Sequence, residues 1–338
     1  MSELPMVDVA ARSFGGSVVW ANDESFAGRE NLVTDAPPVF TPRTFGAKGQ
    51  VYDGWETRRR RDRDGRGTDA RDEAVVRLGA PAVVREVVVD TSHFTGNYPV
   101  AAAVEATWRD GHPSVAELAG AEWTTIVGRT ELAGDTAQTF PVESRRRWTH
   151  VRLAIYPDGG VARLRVRGEV VPDPGLVAAL GTVDLAAAEL GGVVTGCSNR
   201  FYGEPQRLLA PGLARSMGEG WETARRRDEG NDWVQVRLAI PGVVRVAELD
   251  TTWFLGNAPG AARLSRLETE TGQAEQMLEL VELQPDTRHR FLLDPGEPAS
   301  AVRLDVYPDG GLARLRLWGR PTDAGLAALR DRWAETGS

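Results

Sequence analysis

The chain has 338 residues, a length that fits two domains of about 150 residues each. Its 41% hydrophobic and 26% charged residues are typical of a globular protein, and its net charge of -8 disfavours binding to nucleic acid. The one cysteine, Cys197, excludes an internal disulfide, and the first thirty residues contain no long apolar stretch. We therefore expect a cytoplasmic protein with no signal peptide, no membrane span and no nucleic-acid partner.

The first predicted elements in chain order are strands. Val75 to Leu78 and Val83 to Val89 are short, rich in β-branched residues and bounded by Gly and Pro. Pro157-Asp158-Gly159-Gly160 is a turn signal, and Val161 to Val166 alternates apolar residues with Arg at period two. This alternation places Arg163 and Arg165 on one face of a strand, opposite its apolar face.

Two helices are predicted outside these strands. After the helix-breaking Pro172-Asp173-Pro174-Gly175, the Ala- and Leu-rich segment from Leu176 to Leu190 has helical spacing. A second helix is expected from Thr322 to about Glu335, with Thr322 or Asp323 as its N-cap.

Three motifs occur twice in the same order. The first begins at Gly54 and recurs 166 residues later, the second begins at Asp90 and recurs after 160 residues, and the third begins at Tyr156 and recurs after 151. The first pair is Gly54-Trp55-Glu56-Thr57 with Arg59, Arg60, Arg61 and Asp62, and Gly220-Trp221-Glu222-Thr223 with Arg225, Arg226, Arg227 and Asp228. The second pair is Asp90-Thr91, Phe94, Gly96-Asn97 and Pro99, and Asp250-Thr251, Phe254, Gly256-Asn257 and Pro259. The third pair is Tyr156-Pro157-Asp158-Gly159-Gly160 with Ala162-Arg163-Leu164-Arg165, and Tyr307-Pro308-Asp309-Gly310-Gly311 with Ala313-Arg314-Leu315-Arg316.

The repeats indicate an internal duplication of one β-rich unit. Many short strands separated by turns favour an all-β fold of two tandem β-sandwich domains. We expect the first sandwich over residues 1–171, a short helical linker over 172–192, the second sandwich over 193–320, and a C-terminal helix and tail over 321–338.

Retention in both copies selects the candidate site residues. Four carboxylates are the candidate catalytic groups: Glu56, Asp90, Glu222 and Asp250. Eight side chains are the candidate substrate-binding groups: Arg59, Arg60, Asn97, Arg163, Arg225, Arg226, Asn257 and Arg314. Guanidinium binds carboxylate through paired hydrogen bonds, and the Asn amide offers both an acceptor and donors to an amide or ureido ligand.

Each candidate has a structural alternative that the sequence leaves open. The arginine loop can be a solvated charged loop, Asp90 can cap its own turn, and the Tyr-Pro-Asp-Gly-Gly motif is favoured as a structural hairpin. His93 is a plausible proton-transfer group, but Trp253 replaces it in the second copy. No two of the four histidines have the close spacing of a zinc site, so we expect no metal and no cofactor.

Together the three motifs resemble the allantoicase family, over about residues 15 to 320. The residues that carry the resemblance are Gly54-Trp55-Glu56-Thr57-Arg58-Arg59-Arg60-Arg61, Asp90-Thr91-Ser92-His93-Phe94-Thr95-Gly96-Asn97-Tyr98-Pro99 and Tyr156-Pro157-Asp158-Gly159-Gly160-Val161-Ala162-Arg163-Leu164-Arg165. The resemblance implies two jelly-roll sandwiches of the galactose-binding-like type and a homo-oligomer. It also implies a hydrolase of linear amidine-type C–N bonds, which converts allantoate, a small-molecule substrate, into ureidoglycolate and urea in purine (allantoin) degradation.

Two departures from the family pattern leave open which copy is catalytic. The family commonly carries Asp-Trp before a strand, as in Asp232-Trp233, whereas the first copy has Asp72-Glu73. The first copy also contains the inserted Asp64-Gly65-Arg66-Gly67-Thr68. Two further hypotheses therefore stand beside the enzyme: a non-catalytic, carbohydrate-binding tandem module, and an enzyme in which one copy is only structural.

Overall fold

A computed structural model describes residues 6–60, 70–267 and 274–337 of the chain. Arg61 and Asp62 of the first arginine loop, and the inserted Asp64-Gly65-Arg66-Gly67-Thr68, lie outside these residues. The chain divides into two units, one formed mainly by Met6–Val170 and the other by Val171–Glu335. No helix in the described part of the chain is long and apolar enough to cross a membrane.

The first unit is built almost wholly from strands. Its strands are β1 (Val7–Asp8), β2 (Ser17–Ala21), β3 (Phe45–Gly46), β4 (Gly49–Gln50), β5 (Trp55–Glu56), β6 (Asp72–Asp90), β7 (Ala101–Thr107), β8 (Thr124–Glu131), β9 (Ala137–Pro141), β10 (Arg147–Tyr156), β11 (Gly160–Val161) and β12 (Arg163–Val170). The short helix α1 (Val115–Ala119) begins with a capping box between Ser114 and Glu117.

The second unit repeats this arrangement. Its strands are β13 (Val183–Asp184), β14 (Val193–Cys197), β15 (Trp221–Glu222), β16 (Asp232–Asp250), β17 (Ala261–Leu267), β18 (Ala274–Glu282), β19 (Arg288–Leu292), β20 (Ala299–Tyr307), β21 (Gly311–Leu312) and β22 (Arg314–Pro321). The helices α2 (Pro174–Leu180) and α3 (Asp323–Glu335) precede and follow them.

One long strand organises each sandwich. The first part of β6 pairs with β2 and β10, and its last part pairs with β9 and β12, so the strand passes from one layer into the other. In the second unit, β16 does the same with β14, β20, β19 and β22. The predicted all-β class with two tandem jelly-roll sandwiches is confirmed by these two eight-stranded sets.

The two strands predicted on either side of Gly79 and Pro81 form the single strand β6. The register of its pairing with β10 shifts at this point, where the strand passes between layers. Gly79 is needed here because a Cβ would lie 2.1 Å from the carbonyl oxygen of Phe14. Gly and Pro therefore mark a bend rather than a strand end.

The predicted helix from Leu176 to Leu190 is wrong beyond its first turns. Helix α2 ends at Leu180, where Gly181 takes a φ of 70°. Val183–Asp184 then pairs with β22, as Val7–Asp8 pairs with β12 in the first unit. The second sandwich thus begins at residue 183, ten residues earlier than the predicted linker boundary, because β-branched Val183 and the turn-forming Asp184 end the helical pattern.

The predicted C-terminal helix is confirmed as α3. Its N-cap is Thr322, whose hydroxyl accepts the backbone N–H of Gly325 at 3.0 Å.

Candidate active site

Glu56 is held by backbone on both sides. It pairs with Gly160 of β11, and its carbonyl oxygen accepts the N–H of Ala27 at 3.2 Å. The neighbouring Trp55 is fully buried, and its indole N–H donates to the carbonyl of Asp23 at 2.7 Å. The carboxylate therefore projects from a rigid part of the sandwich, as a preorganised catalytic group requires.

The structure brings Glu56 and Asn97 together. Asn97 Nδ2 donates to Glu56 Oε1 at 2.6 Å, and the Asn97 carbonyl accepts the N–H of Gly160 at 2.7 Å. Burial raises the pKa of Glu56 above its usual value, although the hydrogen bond from Asn97 opposes the shift. A carboxyl group in this setting is a candidate for both donating and accepting a proton.

The second copy holds the same pair. Asn257 Nδ2 donates to Glu222 Oε1 at 2.6 Å, and the carbonyl of Asn257 accepts the N–H of Gly311 at 2.8 Å. The Glu222 backbone is bridged by Tyr202, which takes the place of Ala27. Two candidates that are distant in the sequence of each copy are thus neighbours in space.

Arg59 lies beside this pair in the first copy. Its side chain is exposed, and its Nη2 is 3.4 Å from the carbonyl oxygen of Gly96, in the loop that carries Asn97. Arg225 holds the equivalent position and is also exposed. An exposed guanidinium beside a carboxyl–amide pair can bind the carboxylate of a small ligand.

Arg60 is engaged with the protein itself. Its backbone N–H donates to Asp158 Oδ2 at 2.6 Å, and its Nε donates to Asp72 Oδ1 at 3.1 Å. Asn22 Nδ2 donates to the same carboxylate oxygen at 2.9 Å. These bonds fix the arginine loop to the Tyr-Pro-Asp-Gly-Gly turn, so Arg60 anchors the loop.

Arg226 is the corresponding anchor in the second copy. Its backbone N–H donates to Asp309 Oδ2 at 2.8 Å, and its Nη1 donates to the buried Asp232 at 3.0 Å. Its Nε and Nη2 donate to Asp228 at 2.9 and 3.0 Å. Of the candidate substrate-binding arginines in these loops, Arg60 and Arg226 are bonded to buried aspartates, although Arg60 is still 39% exposed. Arg59 and Arg225 are exposed.

Asp90 and Asp250 each accept a backbone hydrogen bond from the turn that follows them. Asp90 Oδ1 accepts the N–H of Ser92 at 2.8 Å, and Asp250 Oδ1 accepts that of Thr252 at 2.9 Å. These are Asx turns at the ends of β6 and β16. The turn-capping alternative is the one that the geometry favours for both residues.

Arg163, a candidate substrate-binding group, is buried against a loop of the first copy. Its side chain is only 1% exposed, and its Nη2 contacts Asp53 Oδ2 at 2.7 Å. Its Nε and Nη1 donate to the carbonyls of Ala36 and Asp53, both at 3.0 Å. The loop between β2 and β5 folds over this face of β12, which strand periodicity alone does not reveal.

Arg314 is buried in the same way. Its Nε donates to the carbonyl of Gly212 at 3.2 Å, and its Nη1 donates to that of Glu219 at 2.8 Å. Burial, with the nearby Arg316 adding to it, lowers the pKa of Arg314 to about 10. Arg163 and Arg314 therefore tie loops to the sandwich, and neither is placed as a solvent-facing ligand group.

The comparison with protein families decides the identity of the repeat. The family model of the allantoicase repeat matches residues 7–171 and again residues 183–322. The chain belongs to the allantoicase family.

Curated relatives and a solved structure agree over nearly the full length. A probable allantoicase from Nocardia farcinica is 57% identical, with 94% of each chain covered. A probable allantoicase from Streptomyces coelicolor is 48% identical, with 98% of this chain and 89% of that one covered. The crystal structure of an allantoicase from Saccharomyces cerevisiae is 30% identical, with a TM-score of 0.80 and 94% of each chain covered.

In this allantoicase-family chain, Thr57 is a site residue that sequence reasoning did not single out. Its N–H donates to the carbonyl of Gly159 at 3.1 Å, and its hydroxyl accepts the N–H of Gly159 at 3.1 Å. Thr223 and Gly310 exchange the same two bonds in the second copy. The sequence did contain a signal for this role, because a threonine stands at the same position in both copies of the motif.

Asp72 and Asp232 were also missed as partners of the arginine loop. Both are buried at the first position of the long strand of their copy. The sequence matched Asp72 with Asp232 but did not reveal that each accepts a hydrogen bond from an arginine of the loop before it, Arg60 or Arg226.

His93 tethers a loop in the structure. Its backbone has a φ of 70°, and its Nε2 lies 3.2 Å from the carbonyl oxygen of Pro38. Trp253 has a φ of 74°, and its indole N–H donates to the carbonyl of Ala214 at 2.9 Å. His93 and Trp253 thus share one property: a ring N–H of each contacts a carbonyl of an earlier loop, at Pro38 or Ala214.

A metal site would need several ligating side chains together. Across residues 6–60, 70–267 and 274–337, no three His, Cys, Asp or Glu side chains form such a group.

Proposed function

We propose that the chain is an allantoicase, which hydrolyses allantoate to ureidoglycolate and urea as a step in purine degradation. The observation that carries the proposal is the match to allantoicases along nearly the whole chain, at up to 57% identity among the relatives above. The Glu56–Asn97 pair with the nearby Arg59 supplies groups suited to this substrate.

The substrate presents three polar groups on one carbon: a carboxylate and two ureido groups. In this proposal Arg59 binds the carboxylate through its exposed guanidinium. Asn97 donates an amide N–H to a ureido oxygen, and Glu56 faces the nitrogen of the ureido group that leaves.

The reaction needs a general acid because urea is a poor leaving group unless it is protonated. Protonated Glu56 gives its proton to the leaving ureido nitrogen as the C–N bond breaks. The lone pair of the remaining ureido nitrogen forms an imine-type double bond to the same carbon. Water then adds to that carbon and returns a proton to the Glu56 carboxylate, which yields ureidoglycolate.

The proposal is tested by the products of the purified protein. Incubation with allantoate should release urea and ureidoglycolate in equal amounts, with no ammonia. A folded protein that releases no urea above background would refute the enzyme, and glycan binding by the same sample would support the carbohydrate-binding alternative.

We also propose that the protein acts in the cytoplasm as a homo-oligomer. The unpaired thiol of Cys197 is compatible with a reducing compartment. Sedimentation at micromolar concentration should give a multiple of the 36.7 kDa chain mass. A mass of 36.7 kDa across the concentration range would refute the assembly.

A further inference from the structure

The two copies carry the same glutamate–asparagine pair in different surroundings. We propose that hydrolysis is confined to the Glu56–Asn97 pair of the first copy, because Met217 obstructs the corresponding amide in the second. This inference rests on the proposed function and adds to it the number and place of the active sites.

The amide of Asn257 is fully engaged. Its Nδ2 donates to Glu222 Oε1 at 2.6 Å and to Met217 Sδ at 3.3 Å. A primary amide nitrogen carries two N–H groups, so neither is left for a ligand. Within the described residues, Asn97 Nδ2 donates to Glu56 alone, and one N–H therefore remains for a ureido oxygen.

The obstruction comes from the size of Met217. A thioether sulfur is a weak acceptor, so its hydrogen bond is easily replaced. The unbranched side chain itself lies against the amide, where a ureido group would have to sit. Met217 stands three residues before Gly220 in the sequence. The residue at the same position in the first copy is Val51, three residues before Gly54. The valine side chain is shorter than that of methionine, and the N–H of Val51 donates to the carbonyl of Thr44 at 2.8 Å.

Three positions near the pair of the second copy also differ in character from their first-copy equivalents. Three equivalent pairs change towards larger apolar residues: Ala27 to Tyr202, His93 to Trp253, and Thr95 to Leu255. The second-copy side chains are 60%, 47% and 72% exposed in that order. Allantoate consists of a carboxylate and two ureido groups around one carbon. It has no apolar surface that could cover these three side chains. The three second-copy side chains are therefore less suited to such a ligand than their first-copy equivalents.

The first copy has a longer loop before β5 than the second copy has before β15. In the first copy, the segment from Pro38, whose carbonyl contacts His93, to Gly54, just before β5, spans residues 38–54. In the second copy, the segment from Ala214, whose carbonyl contacts Trp253, to Gly220 spans only residues 214–220. The longer loop contains the β3–β4 hairpin. Lys48, on this hairpin, donates from Nζ to the carbonyl of Glu24 at 2.6 Å and so fixes the hairpin against the loop that bridges β5.

Matched glutamate variants test the location of turnover. Glu56→Gln and Glu222→Gln each keep an acceptor oxygen for the asparagine and remove the ionisable group. We expect Glu56→Gln to lower kcat for urea release about 100- to 10,000-fold, the range for a lost general acid–base. Glu222→Gln should keep the wild-type kcat. Equal losses in the two variants would overturn the proposal.

A binding measurement counts the sites independently of turnover. Calorimetric titration of allantoate into Glu56→Gln, which consumes little substrate, should give one site per chain. Two sites per chain would overturn the inference even if turnover follows Glu56. If wild-type protein releases no urea, the proposed function fails while this titration still decides between one site and two.

Shortening the obstructing side chain tests the role of Met217. In the Glu56→Gln background, Met217→Ala should add a second allantoate site to the same titration, because the amide of Asn257 then regains a free N–H. Met277→Ala, on strand β18, is the matched control and should keep one site per chain. A folded Met217→Ala variant that still gives one site would overturn the assignment of Met217.

Discussion

Asp53 neutralises a guanidinium that the fold has buried. Arg163 is 1% exposed, Asp53 Oδ2 lies 2.7 Å from its Nη2, and the Asp53 side chain is 30% exposed. In Asp53→Ala the neutral carbonyls of Ala36 and Ala162 remain, but no carboxylate balances the charge. Removing one partner of a buried pair costs about 3–5 kcal/mol, and the partial exposure of Asp53 places this pair at about 3 kcal/mol.

The second copy supplies a matched control for this prediction. Glu219 is the counterpart of Asp53, but its Oε2 lies 3.9 Å from Arg314 Nη2. Its other oxygen is 2.7 Å from the exposed Arg215. Because these contacts are longer or solvent-screened, Glu219→Ala should cost only about 1 kcal/mol.

Guanidinium chloride unfolding, followed by tryptophan fluorescence, measures the difference between the two variants. Asp53→Ala should lose about 2 kcal/mol more free energy of unfolding than Glu219→Ala. Equal losses, or a loss below about 1 kcal/mol for Asp53→Ala, would refute the reasoning that the buried Arg163 depends on its carboxylate.

The remaining predictions concern packing and pH. In Gly160→Ala the new Cβ would lie 2.0 Å from the Phe94 ring, so unfolding should lose about 2–3 kcal/mol. Gly96→Ala faces open space and should be nearly neutral in the same denaturation experiment, and equal effects would contradict the packing. Burial lowers the pKa of His150 to about 4, so between pH 6.5 and 4 the unfolded chain binds a proton that the folded chain does not, and stability falls as the pH falls. The loss of unfolding free energy reaches at most about 3 kcal/mol. His150→Gln should flatten the pH dependence of unfolding, whereas His112→Gln, at an exposed site, should not. Identical slopes for the wild type and both variants would contradict this.

The duplication and the strand content could be predicted because they depend on local sequence. Turn residues such as Pro157 and Gly159 and runs of β-branched residues carry their own backbone preferences. Matching Glu56 with Glu222 and Asn97 with Asn257 identified the pair that the fold brings together.

The burial and the hydrogen-bond partners of the arginines could not be predicted from strand periodicity. Arg163 alternates with apolar residues as a solvent-facing side chain would, but a loop from an earlier part of the chain covers it. Arg60 looked as available as Arg59 until the long strand placed Asp72 against it. The helix predicted to Leu190 failed because pairing of Val183–Asp184 with β22 outweighs the helical propensity of the neighbouring Ala and Leu residues.

The most direct test of the account is a crystal structure of the Glu56→Gln variant soaked with allantoate. We predict ligand density in the first copy, with a ureido oxygen within hydrogen-bond distance of Asn97 and the carboxylate on Arg59, and no ligand at Asn257. Allantoate bound away from the Glu56–Asn97 pair, or bound equally at both copies, would contradict the account.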